Sequence, residues 1–289
     1  MGRRRRTGDT SDVGWLEALI LGLVQGLTEF LPISSSAHIS IVGRLISGKD
    51  PGAAFTAITQ IGTELAVVLY FAKDIGRIIS RWFKALFRWE LQDDPDVRMG
   101  WLVIIGSIPI VVLGLLFQNQ IESVFRNLWL TVAMLAGFGL IIGLVDHFAK
   151  TERTLEQITW KHGILFGLAQ SLALVPGVSR SGATIAAGLA MGYKREAAAR
   201  YGFLLAIPAV LGSGFYQLFD LIKDEGVPSD IGPIILATAI AFGVGLAVIH
   251  WLLRYISTHD FKGFVIYRLA LAAVVAVLLL TGVVPAVSP

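Results

Sequence analysis

Pro176-Gly177-Val178-Ser179-Arg180-Ser181-Gly182-Ala183-Thr184 is a polar, breaker-rich stretch inside an otherwise apolar tract, residues 163–192, and Arg180 is the only charge in that tract. A guanidinium at membrane depth costs roughly 2.5–3.5 kcal/mol on insertion scales, so it must face a partner or a water-filled cavity. Pro176 and Gly177 break the helix before it, and Ser179, Ser181 and Thr184 place hydroxyls beside it. From Ala183 a helix can restart with its free N–H groups pointing back at the cluster. A guanidinium, hydroxyls and a helix N-terminus converging on one spot suit a phosphate. The competing reading, a kinked span whose arginine snorkels to the surface, needs neither the three hydroxyls nor the Pro-Gly break.

The composition around this stretch is that of an all-α polytopic membrane protein. Of 289 residues, 55% are hydrophobic and 16% charged, with a mean hydropathy of +0.70, which excludes an ordinary soluble domain. Cysteine is absent, so there is no disulfide and no thiolate nucleophile. Four arginines at 3–6 are separated from the first apolar tract by the polar insert 7–12, and no small-residue cleavage site follows. Residues 1–14 therefore read as a disordered arm rather than a signal peptide. Residues 15–289 read as one integral-membrane domain.

The first apolar tract, 15–31, carries Glu17, Gln25 and Glu29 and is stopped by Pro32. Glu17 is expected near the membrane surface, solvated. After Ser34-Ser35-Ser36-Ala37-His38 a second apolar segment runs only to about Ile46. Some 10 residues span about 15 Å, half of a ~30 Å hydrocarbon core. Two short segments meeting at a polar tip predict a re-entrant helix-loop-helix, tolerated at depth only where it is buried or lines a cavity. The segments 163–175 and 183–192 predict a second one, with the opening motif at its tip. Six full spans are expected at about 54–72, 100–117, 128–145, 201–222, 231–253 and 264–284, with an amphipathic interfacial loop over 73–98.

The two broken regions match. Gly22-Leu23-Val24-Gln25-Gly26-Leu27 corresponds to Gly167-Leu168-Ala169-Gln170-Ser171-Leu172 at an offset of 145. With one residue of slack, Leu31-Pro32-Ile33-Ser34-Ser35-Ser36 corresponds to Val175-Pro176 and then Val178-Ser179-Arg180-Ser181. Three spans follow each copy, and three is odd, so the second copy enters from the opposite side. The expectation is inverted-topology repeats, about 15–147 and 160–284, sharing a site near the midplane. Chance similarity of glycine-rich apolar helices is the alternative. Lys and Arg fall fourteen on the side of the 73–98 loop against eight on the other, which favours both termini outside, although the four-arginine arm counts against it.

Together the tips offer Gln25, Glu29, Ser34, Ser35, Ser36 and His38 against Ser179, Arg180, Ser181 and Thr184. Cleaving a phosphoanhydride needs charge neutralisation, a nucleophile and a proton acceptor. Arg180 and the restarted helix supply the first. Glu29 can bind a divalent metal or act as a base, His38 can carry a proton near neutral pH, and either Ser35 or a water at Glu29 can attack. Ser34, Ser36, Ser179, Ser181 and Thr184 are the expected phosphate-binding hydroxyls. Ser34 and Ser36 serve equally well as caps of the following helix, and His38 alone reads as readily as a hydrogen-bonded structural residue.

The stretch Gln25-Gly26-Leu27-Thr28-Glu29-Phe30-Leu31-Pro32-Ile33-Ser34-Ser35-Ser36-Ala37-His38, with the opening motif, resembles the two signatures of the undecaprenyl pyrophosphate phosphatase family, also called bacitracin-resistance proteins. The resemblance runs from Trp15 to about Val284. It implies a multi-pass enzyme of the bacterial cytoplasmic membrane that removes one phosphate from the C55 isoprenoid diphosphate carrier of peptidoglycan synthesis. It also implies a divalent cation (Mg²⁺ or Ca²⁺) and an active site facing the outer side. By position, the acidic motif falls on Gln25 and Glu29, the serine-histidine element on Ser35 and His38, and the arginine element on Ser179, Arg180 and Thr184. One departure stands out: Gln25 occupies a place where the family often has Glu. An amide cannot act as a base and binds a hard cation less well. Glu64, mid-span in Thr63-Glu64-Leu65-Ala66, either supplies the missing carboxylate or is a protonated structural group. The expected partners are a polyprenyl diphosphate lipid and the bilayer, with a homodimer left open and no nucleic acid. A polyprenyl-phosphate flippase or transporter is the alternative function, since broken helices around a midplane site also build transporters. A channel or proton relay using Glu29, Glu64 and His38 fits the paired serine-rich tips poorly.

Overall fold

Breakers divide the chain where the sequence places them. The computed structural model describes residues 13–225 and 231–287; the predicted arm lies almost wholly outside the described residues. In chain order the helices are α1 (Trp15–Thr28), α2 (Ser35–Ser47), α3 (Gly52–Tyr70), α4 (Ala72–Ala85), α5 (Pro95–Leu116), α6 (Gln118–Glu122), α7 (Leu128–Phe148), α8 (Trp160–Ser171), α9 (Arg180–Ala190), α10 (Arg195–Glu225), α11 (Gly232–Ile256) and α12 (Lys262–Leu280). Six of these, α3, α5, α7, α10, α11 and α12, are long and apolar enough to cross a membrane, at the places the hydropathy predicts. Their outer faces expose Leu115, Leu116, Leu144, Phe148, Val277 and Leu280, apolar surface that lipid covers. The chain is an all-α, multi-pass membrane protein.

The four remaining long-tract helices are short: α1, α2, α8 and α9 have 14, 13, 12 and 11 residues. At 1.5 Å per residue each is about 16–21 Å, less than a ~30 Å core. Both second helices start earlier than the sequence reading has them, α2 at Ser35 instead of after His38 and α9 at Arg180 instead of Ala183. Ser34 and Ser179 are the reason. Each is an N-cap with left-handed backbone (φ 74° and 73°), and each side-chain oxygen accepts from the N–H three residues on, Ala37 at 3.4 Å and Gly182 at 3.1 Å. The cap draws the helix start to the next residue, so Ser35 and Arg180 open α2 and α9 instead of lying in loops.

Two further expectations change. Residues 73–98 are mostly helix: α4 puts Ile79 and Phe83 outward, while Arg77 pairs with Asp74 and Asp96. Glu17 is not simply solvated, since its carboxylate accepts from Ser47 Oγ at 2.8 Å and ties α1 to the end of α2.

Packing between the halves is reciprocal. α1 lies on α11, the middle span of the second half, and α8 lies on α5, the middle span of the first; α3 packs on α10, and α7 on α12. The matched glycines permit this close approach. A Cβ on Gly22 would stand 2.6 Å from the Ala237 carbonyl oxygen, and one on Gly167 would run into the Gly106 backbone. Beneath the tips, Phe30, Ile142, Ile185, Leu189, Phe203 and Ile249 form one apolar cluster.

Candidate active site

The breaks after α1 and α8 bring two polar tips together in the interior. The turn after α1 delivers Glu29, which is 7% exposed and engaged on both oxygens. Glu29 Oε2 accepts from Gln25 Nε2, one helical turn earlier, and from Ser35 Oγ at the start of α2, both at 2.6 Å. Glu29 Oε1 pairs with Arg180 Nη2 from the other tip. The predicted juxtaposition of acidic, serine and arginine elements is therefore present.

Glu64 joins them. It lies on α3, 1% exposed, with its Oε2 3.9 Å from Arg180 Nη2 and neither oxygen hydrogen-bonded. With Glu29, Arg180 and Ser181 it lines a small cavity closed by Val67 and Phe203. Gln25 Oε1 is likewise buried without a partner. Two carboxyl groups are thus buried beside one guanidinium, and three oxygens there, both of Glu64 and Oε1 of Gln25, have no donor.

Hydrogen bonds across the tips fix their registration. Gly177 N donates to Ser34 Oγ at 3.2 Å, and Ser181 Oγ donates to the Leu31 carbonyl at 3.0 Å. Ser36 and Ser34 share a hydrogen bond of 3.2 Å, and Ser179 and Ser181 one of 3.1 Å. Thr184 is spent within its own helix, donating to the Arg180 carbonyl at 3.0 Å, and its side chain packs on Gly202 of α10. His38 does not meet Ser35 or Glu29 through a hydrogen bond. Its Nδ1 donates to the Ser34 carbonyl at 2.7 Å, which leaves Nε2 to accept from Tyr267 OH at 2.8 Å, with the rings stacked.

Arg268 is the residue the sequence reading passes over. It is 0% exposed on α12, and it donates from all three guanidinium nitrogens to backbone carbonyls of both tips and of α7. The available signal was a second lone charge within an apolar span.

The sequence matches the family described as Bacitracin resistance protein BacA over residues 18–274. The chain belongs to this family. Within the bacitracin resistance proteins, it is 60% identical over 275 residues to the undecaprenyl-diphosphatase of Renibacterium salmoninarum, covering 94% of this chain and 98% of that protein. It is 58% identical over 277 residues to the undecaprenyl-diphosphatase of Pseudarthrobacter chlorophenolicus, with 95% and 100% covered. Undecaprenyl-diphosphatase 2 of Agrobacterium fabrum is 55% identical over 275 residues, with 95% and 99% covered. These names are those of diphosphatases and not of transporters, and the resemblance drawn from the two motifs holds across nearly the whole chain.

Proposed function

We propose that the chain hydrolyses undecaprenyl diphosphate to undecaprenyl phosphate and inorganic phosphate, recycling the lipid carrier of cell-wall synthesis and conferring bacitracin resistance. The observation that carries this is the Glu29 carboxylate, gripped by Arg180 from the opposite tip on one oxygen and by Ser35 on the other. Membership of the family and the names of its close members support the activity.

Arg180, with Ser181 beside it in the same cavity, binds and orients the terminal phosphate, while Ser34 and Ser179 act as the caps that hold the tips and Ser36 pairs with Ser34. A nucleophile within hydrogen-bond reach of its base is the arrangement that activates a hydroxyl, and the 2.6 Å bond from Ser35 to Glu29 supports serine over water. Glu29 takes the Ser35 proton as Oγ bonds to the terminal phosphorus. The bridging P–O bond breaks, and the proton passes to the departing undecaprenyl phosphate. Water then attacks that phosphorus with Glu29 taking its proton, and the proton returns to Ser35 Oγ as the Oγ–P bond breaks and inorganic phosphate leaves. His38 positions the α1–α2 turn through Ser34 and Tyr267. Thr184 supports α9.

The donor set fits a hard divalent cation, Mg²⁺ or Ca²⁺: both oxygens of Glu64 and the amide oxygen of Gln25 are buried without a donor, and Glu29 would join them once Arg180 turns to the substrate. When bound, such an ion would neutralise charge on the diphosphate. The reciprocal packing of the halves supports inverted repeats with the tips re-entering the membrane interior. The Lys and Arg count, which favours both termini outside, together with the family resemblance supports a site facing the outside of a bacterial cytoplasmic membrane.

Purified protein in detergent is expected to release phosphate from C15 or C55 prenyl diphosphate, and Arg180→Ala to lose roughly 10²-fold or more in kcat. Arg180→Lys keeps the charge without the fork and is expected to be severely impaired as well. No release by the wild type would end this reading.

A further inference from the structure

We infer that Arg268 is a positioning residue that sets the two tips against each other, and this inference rests on the phosphatase reading above. Its guanidinium reaches five carbonyls. Nε donates to Leu135 at 3.1 Å; Nη1 to Pro32 at 3.0 Å and Val178 at 3.3 Å; Nη2 to Gly177 at 2.7 Å and Met134 at 3.1 Å. Leu135 and Met134 belong to α7, Pro32 to the first tip, and Gly177 and Val178 to the second. No carboxylate pairs with it among the described residues.

Counted back from the capping serines, without the slack that pairs Pro32 with Pro176 in the motif match, Pro32 and Gly177 are equivalent positions. Each stands two residues before the left-handed serine, Ser34 or Ser179, that caps the following helix, at the same offset of 145 that relates the repeats. One side chain therefore grips the same carbonyl in both copies. Breaks in buried helices leave carbonyls without intrahelical donors, and a planar fork with five N–H groups can satisfy several at fixed angles. Ser35 and Arg180 follow immediately after the two caps, so the separation of these carbonyls governs how Ser35, Glu29 and Arg180 meet. A lysine in this place has one nitrogen on a flexible stem. It cannot hold three backbone segments in one plane.

Gly139 on α7 gives independent access to the same contact. A Cβ there would lie 3.3 Å from Arg268 Cβ and 3.5 Å from its Nε. Gly139→Ala therefore pushes on the arginine while keeping its charge and its hydrogen-bonding groups.

The test compares full-length wild type, Arg268→Lys and Gly139→Ala in detergent, measuring kcat and KM for a short prenyl diphosphate alongside thermal unfolding. Below the unfolding temperature of each variant, kcat of Arg268→Lys is expected to fall at least ~10-fold and that of Gly139→Ala at least ~3-fold, as misplaced reacting groups do. KM should stay within ~3-fold. A purely structural arginine would lower the unfolding temperature and leave kcat of the folded fraction unchanged, and that outcome overturns the inference. If Arg268→Lys fails to fold, Gly139→Ala decides by the same criterion. Inactive wild type would count against the phosphatase reading itself, whereas active wild type with unimpaired variants counts against Arg268 alone.

Discussion

Glu29 and Glu64 differ in what surrounds them, and that difference assigns their parts. Glu29 is held by three side-chain donors, whereas Glu64, at 1% exposure, has only a guanidinium 3.9 Å away. If Glu64 supplies the carboxylate that Gln25 does not, the two positions are coupled. Glu64→Gln is then expected to cost much activity in the native background and much less beside Gln25→Glu. Neighbouring sites show interaction energies of ~0.5–3 kcal/mol in such cycles, and strict additivity in kcat would leave Glu64 a buried structural carboxyl. The role of Ser35 is tested by acid quench during turnover of terminally labelled substrate. Label should remain on the wild-type protein and be lost in Ser35→Ala; no label on the wild type would return the attack to water. The meeting of Gln25, Glu29, Ser35 and Arg180 at the candidate site was legible because each is a polar group in or beside an apolar tract. Arg268 was visible as a charge but not as a participant, because its acceptors are backbone carbonyls, which leave no mark in a sequence. The same holds for His38, whose partner Tyr267 lies 229 residues away.

At the scale of the helix, the two capped breaks carry the design. A non-glycine residue in the left-handed region costs about 1–2 kcal/mol, and Ser34 and Ser179 both stand there. Their side chains recover the cost by capping, and Ser34 Oγ also accepts from Gly177 across the tips. Ser34→Ala loses the cap and keeps the strain, whereas Ser34→Gly loses the cap and removes the strain. The alanine variant is therefore expected to unfold at the lower temperature of the two, by the equivalent of ~1 kcal/mol or more. Equal unfolding temperatures would show that the backbone there relaxes. Prolines and Pro-Gly pairs announced where the helices stop, and apolar runs announced the spans. Where helices restart was less legible, because several serines in a row can each cap, and tertiary contact selects one.

Across the whole molecule, the connection between α2 and α3 is latched to the segment before α7 and, through Arg44, to the chain after α12. Asp50 accepts from Ser40 Oγ at 2.5 Å, pairs with Arg126, and lies 3.4 Å from Arg44, which also donates to the carbonyls of Arg126 and Pro285. Burial pushes the Asp50 carboxyl up, but Arg126, Ser40 and the Gly52 N–H together hold it below the ordinary carboxylate range. Because the folded state binds this proton less readily than the unfolded one, the stabilisation is complete above the unfolded value of ~4 and is lost as pH falls below it. Asp50→Asn should lower the unfolding temperature at pH 7, and the gap from wild type should shrink as the pH is taken below about 4. A gap independent of pH would show that shape rather than charge holds the latch. The reciprocal packing at this scale followed from a repeat visible in Gly22 and Gly167, since small residues mark where helices approach closely.

The contact between Arg180 and Glu29 has a consequence for how a turnover begins. In the substrate-free chain Arg180 already holds the Glu29 carboxylate, and on the proposed mechanism that anion is the protein's own proton acceptor. An arriving diphosphate therefore enters as a competitor, and every phosphate oxygen that takes the guanidinium sets the carboxylate free. The base is masked until substrate charge unmasks it. An uncharged lipid of the same length, however well its tail fits, leaves that mask in place.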